Sequence, residues 1–268
     1  MEKKFVILEQ LIREYIDNPE PISSKLLQEK LYLGLSSATI RYYFKQLTEN
    51  GYLQKEHISS GRIPTKRSLK QFWRKNLKEN EIVIKQIDLL EEASKSQSIF
   101  CEYSLYKNLI LTHIENLNNK FLILGFDTKE LIVPYNAKVA ALLQNFVGVQ
   151  AFDIARMLYD YDMVNLANRI KEFLKDEFKI CNIDEIVDMA NDDKRWANSY
   201  LIYVLSGKNL IQEPIGLRFY DNFLSYKFYV SINNEKKGEV LLVGKLHRNY
   251  LKFMQNLKGV DNGEKRAS

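Results

Sequence analysis

Ten side chains between Ser37 and Arg67 have the types and spacing to hold and read a nucleic-acid duplex. Ser37 and Thr39 fall in the first turn of an expected helix, where free backbone N–H groups and the helix dipole favour a phosphate. Arg41, Tyr42 and Lys45 follow on the same outward face, and short polar groups followed by longer cationic ones suit a helix laid in a major groove. Ser59, Ser60 and Arg62 gather at a Ser-Gly turn, where a guanidinium can enter a minor groove or grip a phosphate. Lys66 and Arg67 open a second basic helix and are expected to anchor phosphate. The plainer reading of the first helix is an amphipathic surface helix with a solvated basic face.

Other chemistry finds little support. His57, His113 and His247 are isolated, and Cys101 and Cys181 have no partner at metal-ligand spacing. Two cysteines in 268 residues make no disulfide framework. Neither a GxGxxG nor a GxxxxGK[ST] pattern occurs, and the acid pairs Glu91-Glu92 and Asp192-Asp193 read as solvated surface. The expectation is therefore no enzyme, no metal and no cofactor.

The flanking sequence supplies elements that would position the ten. Ser36, after Gly34 and Leu35, stands where an N-cap belongs, and Ile40, Phe44 and Leu47 form one apolar stripe widened by Tyr43. Upstream, Phe5, Leu8, Leu11, Ile12, Tyr15 and Ile16 predict a first helix, broken after Asn18 by Pro19-Glu20-Pro21. Ser23 or Ser24 then caps a short helix through Leu31, with Leu26, Leu27 and Leu31 facing inward and a turn at Tyr32-Leu33-Gly34-Leu35. Helix, short helix, turn and exposed basic helix is the helix-turn-helix order. Gly51 falls at the C-cap, Tyr52 to His57 alternates like a strand, Ser60-Gly61 marks a turn, and Ile63 lies in the return strand. That predicts a wing with Arg62 projecting from its rim, and Thr65 as the cap of the following helix.

Charge identifies the partner. Residues 36–78 carry ten Lys and Arg against Glu49 and Glu56 alone, a net +8. Residues 1–80 are net +6, whereas the other 188 residues are net −1. A basic head on a near-neutral body is the footprint of nucleic-acid binding, with phosphate neutralisation supplying affinity that falls with salt. A winged helix that binds RNA or protein is the alternative.

Four short runs carry a family resemblance: EPISSKLLQ at 20–28, LGLSSATIR at 33–41, ENGYL at 49–53 and SGRIPT at 60–65. This stretch resembles the heat-inducible transcription repressor family HrcA, and the pairing of SSATIR with SGRIPT is far more specific than a generic helix-turn-helix. Downstream, LLQNFVGVQAFDI at 142–154 and GEVLLVGKLHRNYLKFMQNL at 238–257 are similar to later family segments. The chain departs from the family pattern at Tyr42-Tyr43, where relatives commonly carry Asn and an acid, and at GKLHR (244–248), which stands for a GPxRM-like motif.

From the residues alone, short apolar runs followed by helical patterns argue for an α+β body. A connecting helix or linker is expected over 79–98 (Ile82, Ile84, Ile87, Leu90) and strands at Asn108–Ile114, Phe121–Phe126 and Glu130–Val133. Helices follow at Ala137–Phe146, Ala151–Tyr159, Val164–Lys175 and Trp196–Leu205, then strands at Ser225–Asn233 and Gly238–Leu246, and a last helix at Asn249–Leu257. The resemblance implies a winged helix-turn-helix domain over 1–78, a GAF-like regulatory domain over 99–258 with an inserted helical dimerising segment at about 145–210, and a polar tail at 259–268. It further implies a homodimer that represses chaperone operons from an inverted-repeat operator on double-stranded DNA (the CIRCE type) and is released on heat stress, with a GroE-type chaperonin as partner. The alternative is a metabolite-sensing winged-helix regulator with a ligand in the GAF-like region. An amphipathic helix directly after Met1 and the lack of a long apolar run lead to the expectation of a cytoplasmic protein without membrane contact.

Overall fold

The computed structural model describes residues 3–30, 34–55, 61–192, 200, 202–204, 206, 210, 213–233 and 235–259. Helix α1 (Lys3–Asp17) buries Ile7, Leu8, Leu11, Ile12 and Ile16 along one stripe. In α2 (Ser24–Lys30) Leu27 is buried but Leu26, expected to face inward, is 37% exposed. Adjacent helical positions lie about 100° apart, so this short helix turns only one of the two leucines fully into the core. Helix α3 (Ser37–Glu49) buries Ile40, Phe44 and Leu47 as its stripe requires.

Gly51, at φ +71°, ends α3 in a Schellman motif: its N–H reaches Thr48 O and the Tyr52 N–H reaches Leu47 O. Strands β1 (Leu53–Gln54) and β2 (Ile63–Pro64) pair antiparallel, Leu53 opposite Pro64. The first of them is shorter than expected, and 56–60 lie outside the described residues. Ile22 adds a third rung through its bonds to Arg62, 2.9 and 2.8 Å. Helix α4 (Lys66–Asn76) then buries Leu69, Phe72 and Trp73.

Residues 79–98 are not the single connecting helix expected. They form β3 (Glu81–Ile84), with Ile82 and Ile84 buried and Glu81 and Val83 exposed, and then α5 (Asp88–Gln97). Glu-Ile-Val-Ile has a strand's period of two and two β-branched types that favour extended backbone, which outweighs the helical spacing read across Ile84, Ile87 and Leu90.

The body is a mixed α+β structure. Its main sheet has six strands, in the order β3, β10 (Phe223–Ile232), β11 (Lys236–Lys245), β4 (Phe100–Tyr106) and β8 (Lys175–Cys181), with β9 (Gly216–Phe219) also on β10. All neighbours are antiparallel except β3 and β10. A separate antiparallel meander, β5 (Leu111–Leu117), β6 (Phe121–Phe126) and β7 (Lys129–Pro134), is followed by α6 (Ala137–Gln144), α7 (Ala151–Asp160) and α8 (Val164–Leu174).

These elements share their own core around Leu122, Leu124, Phe152 and Ile170. The excursion from the main sheet thus runs between β4 and β8, from 107 to 174. The expected insertion at about 145–210 does not stand as one unit, because β8 inside that range returns to pair with β4. Helix α9 (Asp184–Asp192) follows, most of the expected Trp196–Leu205 helix lies outside the described residues, and α10 (Tyr250–Leu257) closes the described chain with Asn249 as its N-cap.

Strand alternation gives the main sheet two unlike faces. Leu224, Tyr226, Phe228, Val240, Leu242, Cys101 and Tyr103 share one core with α1, α3, α4, α5 and α10. The indole of Trp73 ties α4 to this core: its Nε1 donates to Leu246 O at 2.7 Å and its ring meets Tyr250 edge-on at 5.1 Å. The other face mixes buried Ser225, Lys227, Glu239, Glu102 and Ser104 with the apolar Phe100, Phe223, Leu241 and Val243, which pack into a core of their own.

Candidate nucleic-acid interface

Ser36 sets the geometry of α3. In extended conformation (φ −72°, ψ 153°), its Oγ accepts the Thr39 N–H at 3.1 Å, which satisfies one orphan donor of the first turn. Ser37 Oγ lies 2.8 Å from Ser24 Oγ, so the short helix steadies the same turn. Beyond it, Ala38, Arg41, Tyr42 and Lys45 are all exposed on the face opposite Ile40, Phe44 and Leu47. Arg41 has no ion-pair partner among the described residues, and Lys45 lies 3.9 Å from Glu49, a loose exposed pair that a phosphate can replace.

Tyr42, at 58% exposure, is the most exposed aromatic side chain of the N-terminal unit among the described residues. Its hydroxyl accepts from Gln46 Nε2 at 2.8 Å, one turn further along, and its ring packs edge-on to Tyr43 at 5.7 Å. The phenol proton therefore remains free to donate outward, and a ring edge is held ready for stacking. Gln46 did not stand out in the sequence, although its i+4 spacing from Tyr42 is the signal that would have found it.

Arg62 does not project from the rim. Its Nε donates to Thr48 Oγ1 at 3.2 Å and a terminal nitrogen donates to Gly61 O at 3.2 Å, so the guanidinium lies half-buried against the end of α3. Burial lowers its pKa from the ordinary guanidinium value. Thr48, fourteen positions away, is a positioning residue that no local pattern could reveal. Gly61 explains why the backbone comes so close: a Cβ there would meet Ile22 O at 2.4 Å. Ser59 and Ser60 lie outside the described residues.

Thr65 caps α4 as expected, accepting the Ser68 N–H at 3.3 Å. Lys66 makes an exposed ion pair with Asp221 at 2.8 Å, and its ammonium holds that carboxylate below its usual pKa. The Arg67 guanidinium lies 5.2 Å from the Tyr52 ring centre, and Arg74 and Lys70 lie 4.8 and 6.0 Å from that of Phe219. The structure thus places Arg41, Tyr42 and Lys45 on one outward face, but leaves Thr39 half-buried beside its Ser36 cap and turns Ser37, also half-buried, towards Ser24 of α2; Arg62 lies beside the far end of α3, and Lys66 and Arg67 stand at the start of the next helix. A fork of guanidinium donors, an exposed ammonium and an exposed phenol can together bind an anionic backbone and hydrogen-bond a base edge.

Among the described residues no cluster could hold a metal ion, and no helix is long and apolar enough to cross a membrane. A family model described as the HrcA C-terminal domain matches residues 73–261. A heat-inducible transcription repressor HrcA of Helicobacter pylori (strain J99) is 29% identical over 262 residues, 96% of this chain and 95% of that protein. The HrcA of Clostridioides difficile (strain 630) is 27% identical over 222 residues, 72% of this chain and 66% of the relative. That of Ligilactobacillus salivarius (strain UCC118) is 52% identical over 64 residues, 24% and 18% of the two chains. These relatives are named as transcription repressors and not as enzymes. A solved structure described as a hypothetical protein at 2.2 Å resolution shares the fold, with a TM-score of 0.50, 16% identity and coverage of 96% of this chain and 94% of that one.

Proposed function

The chain belongs to the HrcA family of heat-inducible transcription repressors, and from that premise we propose that it is a dimeric winged-helix repressor of chaperone operons that binds a CIRCE-type inverted repeat. The observation that carries this reading is the outward face of α3: Arg41, Tyr42 and Lys45 stand clear of the core behind a capped first turn, on the most basic part of the chain. In this reading α3 lies in the major groove, and the β1–β2 hairpin is the wing beside it. Arg62, seated on Thr48, presents its remaining donors to the backbone phosphate. Ser59 and Ser60 meet the duplex at the wing tip. Lys66 exchanges Asp221 for a phosphate, which links DNA binding to the body through one exposed pair, and Arg67 holds the next phosphate.

Two-fold symmetry of the dimer places one α3 in each half-site and fixes their spacing. The body is the regulatory, GAF-like part, and a GroE-type chaperonin keeps it competent until heat-denatured proteins compete for that chaperonin. A temperature ramp of operator binding, with and without chaperonin, tests this release mechanism. Loss of binding that chaperonin prevents supports it, and loss that chaperonin cannot prevent replaces it with intrinsic melting.

Replacing Arg41 by Ala tests the base-reading face. The expected loss on the operator is about 1–3 kcal/mol, with relaxed sequence preference. An equal loss on random DNA reduces Arg41 to a phosphate contact.

A further inference from the structure

Lys227 and Glu239 lie on a buried face of the main sheet, although a sequence such as Leu224-Ser225-Tyr226-Lys227-Phe228 reads as a strand with one solvated side. Between that face, α7 and α8 lies a cavity of about 460 Å³, within the range that takes a small molecule. Its walls include Lys171, Lys227, Glu239, Arg156, Tyr159 and Tyr229. The side chains of Lys171, Lys227 and Glu239 are 2%, 3% and 0% exposed. Ammonium groups buried this deeply require partners for their protons.

The cavity holds donors in surplus. Lys171 Nζ donates to Glu239 Oε1 and to Tyr159 Oη at 3.1 Å. Lys227 Nζ donates to Leu210 O and lies 3.3 Å from Glu239 Oε2, which also accepts from Tyr106 Oη at 3.0 Å. Three protons on each ammonium leave one on each without an acceptor among the described residues. Glu239 has both oxygens engaged, and Tyr159 Oη, which bonds Asn168 Oδ1, has its proton committed as well. Glu213 is 3.8 Å from Arg218 and bonded to Tyr220, and Arg156 is 3.0 Å from Glu81 while stacked 4.1 Å from the Tyr229 ring centre. Asp160 lies on the wall, and Glu102 is buried further along the same face.

We propose that this cavity binds a small organic molecule bearing an oxyanion, a carboxylate or a phosphate ester, whose oxygens take the remaining protons of Lys171 and Lys227 while its body lies against the Tyr159 and Tyr229 rings. The site is placed to be felt by the basic unit. Asn80 lines it and accepts the Tyr229 N–H at 2.8 Å, and the neighbouring Glu81 holds Arg156, all within a few residues of the end of α4. An occupant that displaces or tightens this corner moves the strand that leads directly from α4.

The test uses the full chain labelled at Ile and Val methyl groups, titrated with inorganic phosphate and separately with benzoate at constant ionic strength. Val164 and Ile215 line the cavity, whereas Ile7 and Val240 belong to the core on the other side of the sheet. The expected result is a saturable shift of the Val164 and Ile215 methyls, with Ile7 and Val240 unmoved, at a Kd of about 1 mM or below for at least one probe. At a hundred times Kd, Tm should rise by roughly 5 °C or more. Saturation by phosphate alone assigns a phosphate ester, and saturation by benzoate alone assigns a carboxylate. Lys227→Met should weaken binding at least tenfold, and the wild-type spectra stand by themselves if that variant does not fold. No saturation by about 10 mM of either probe overturns the proposal, as does a Tm that climbs steadily with added salt while both cavity methyls stay still. No DNA is present, so failure here leaves the operator reading untouched.

Discussion

Replacing Gly61 by Ala puts one methyl where the structure has no room for it. A Cβ at Gly61 would lie 2.4 Å from Ile22 O, 2.5 Å from Ile22 C and 2.8 Å from Pro21 C, all backbone atoms that no rotamer change can move. Gly61 is not among the positive-φ glycines, so the cost is contact and not backbone conformation. Relief requires Ile22 and Arg62 to part, which breaks their two mutual bonds of 2.9 and 2.8 Å. At roughly 0.5–1.5 kcal/mol each, that loss is about 1–3 kcal/mol, offset by about 0.4–1 kcal/mol from the stiffer unfolded chain. The net expectation is about 1–2 kcal/mol of destabilisation, read as a lower urea midpoint at unchanged m-value. The same movement lifts Arg62 from Thr48, so operator affinity measured by fluorescence anisotropy should fall about tenfold at a temperature where the variant is still folded. A variant as stable as the wild type, or more stable, refutes the argument, since that is how alanine behaves where a methyl has space.

Further expectations concern the joint, the acid side and the reading face. Trp73→Phe keeps an aromatic ring in the core but removes the only donor its side chain offers to Leu246 O, and should cost about 1–3 kcal/mol by urea denaturation; an unchanged midpoint would show that water serves that carbonyl equally well. Hydrogen bonds from Lys179 and then Lys95 lower the Glu91 pKa to about 2, so this carboxylate adds stability above its unfolded value and loses it as pH falls from about 4.5 towards about 2. Glu91→Gln should flatten that part of the stability–pH curve, and parallel curves for the two proteins would exclude the linkage. Tyr42→Phe removes only the outward phenol proton and the Gln46 contact, and should weaken operator binding by about 1 kcal/mol or less while leaving random-sequence affinity unchanged. A larger loss on both DNAs would make Tyr42 a stacking or folding residue instead.

Local chemistry made much of the N-terminal unit legible. The Ser36 and Thr65 caps, the Gly51 helix stop and the Ile40–Phe44–Leu47 stripe each depend on neighbours within a few positions, and each is where the residues placed it. Features set by distant partners were not readable. Arg62 turns inward because Thr48 offers an acceptor, and Lys66 is held by Asp221 from the far part of the chain. In β4 the apolar Cys101, Tyr103 and Leu105 alternate with Glu102 and Ser104, a strand signal that was present and passed over, whereas β8 escaped notice because Lys175-Asp-Glu-Phe-Lys-Ile is too charged to read as a sheet strand. Missing β8 displaced the expected insertion.

If the exposed face of α3 reads a defined operator, as proposed, the protein must tell that sequence from others. Titration of the protein against a CIRCE-type inverted-repeat duplex, and against a scrambled duplex of equal length and composition, at several salt concentrations, decides whether it does. The expected result is affinity at least about a thousandfold higher for the inverted repeat, protection of two half-sites about one helical turn or a multiple apart, and binding to both duplexes that weakens steeply with salt. Equal affinity for the two duplexes, or binding indifferent to salt, would contradict it.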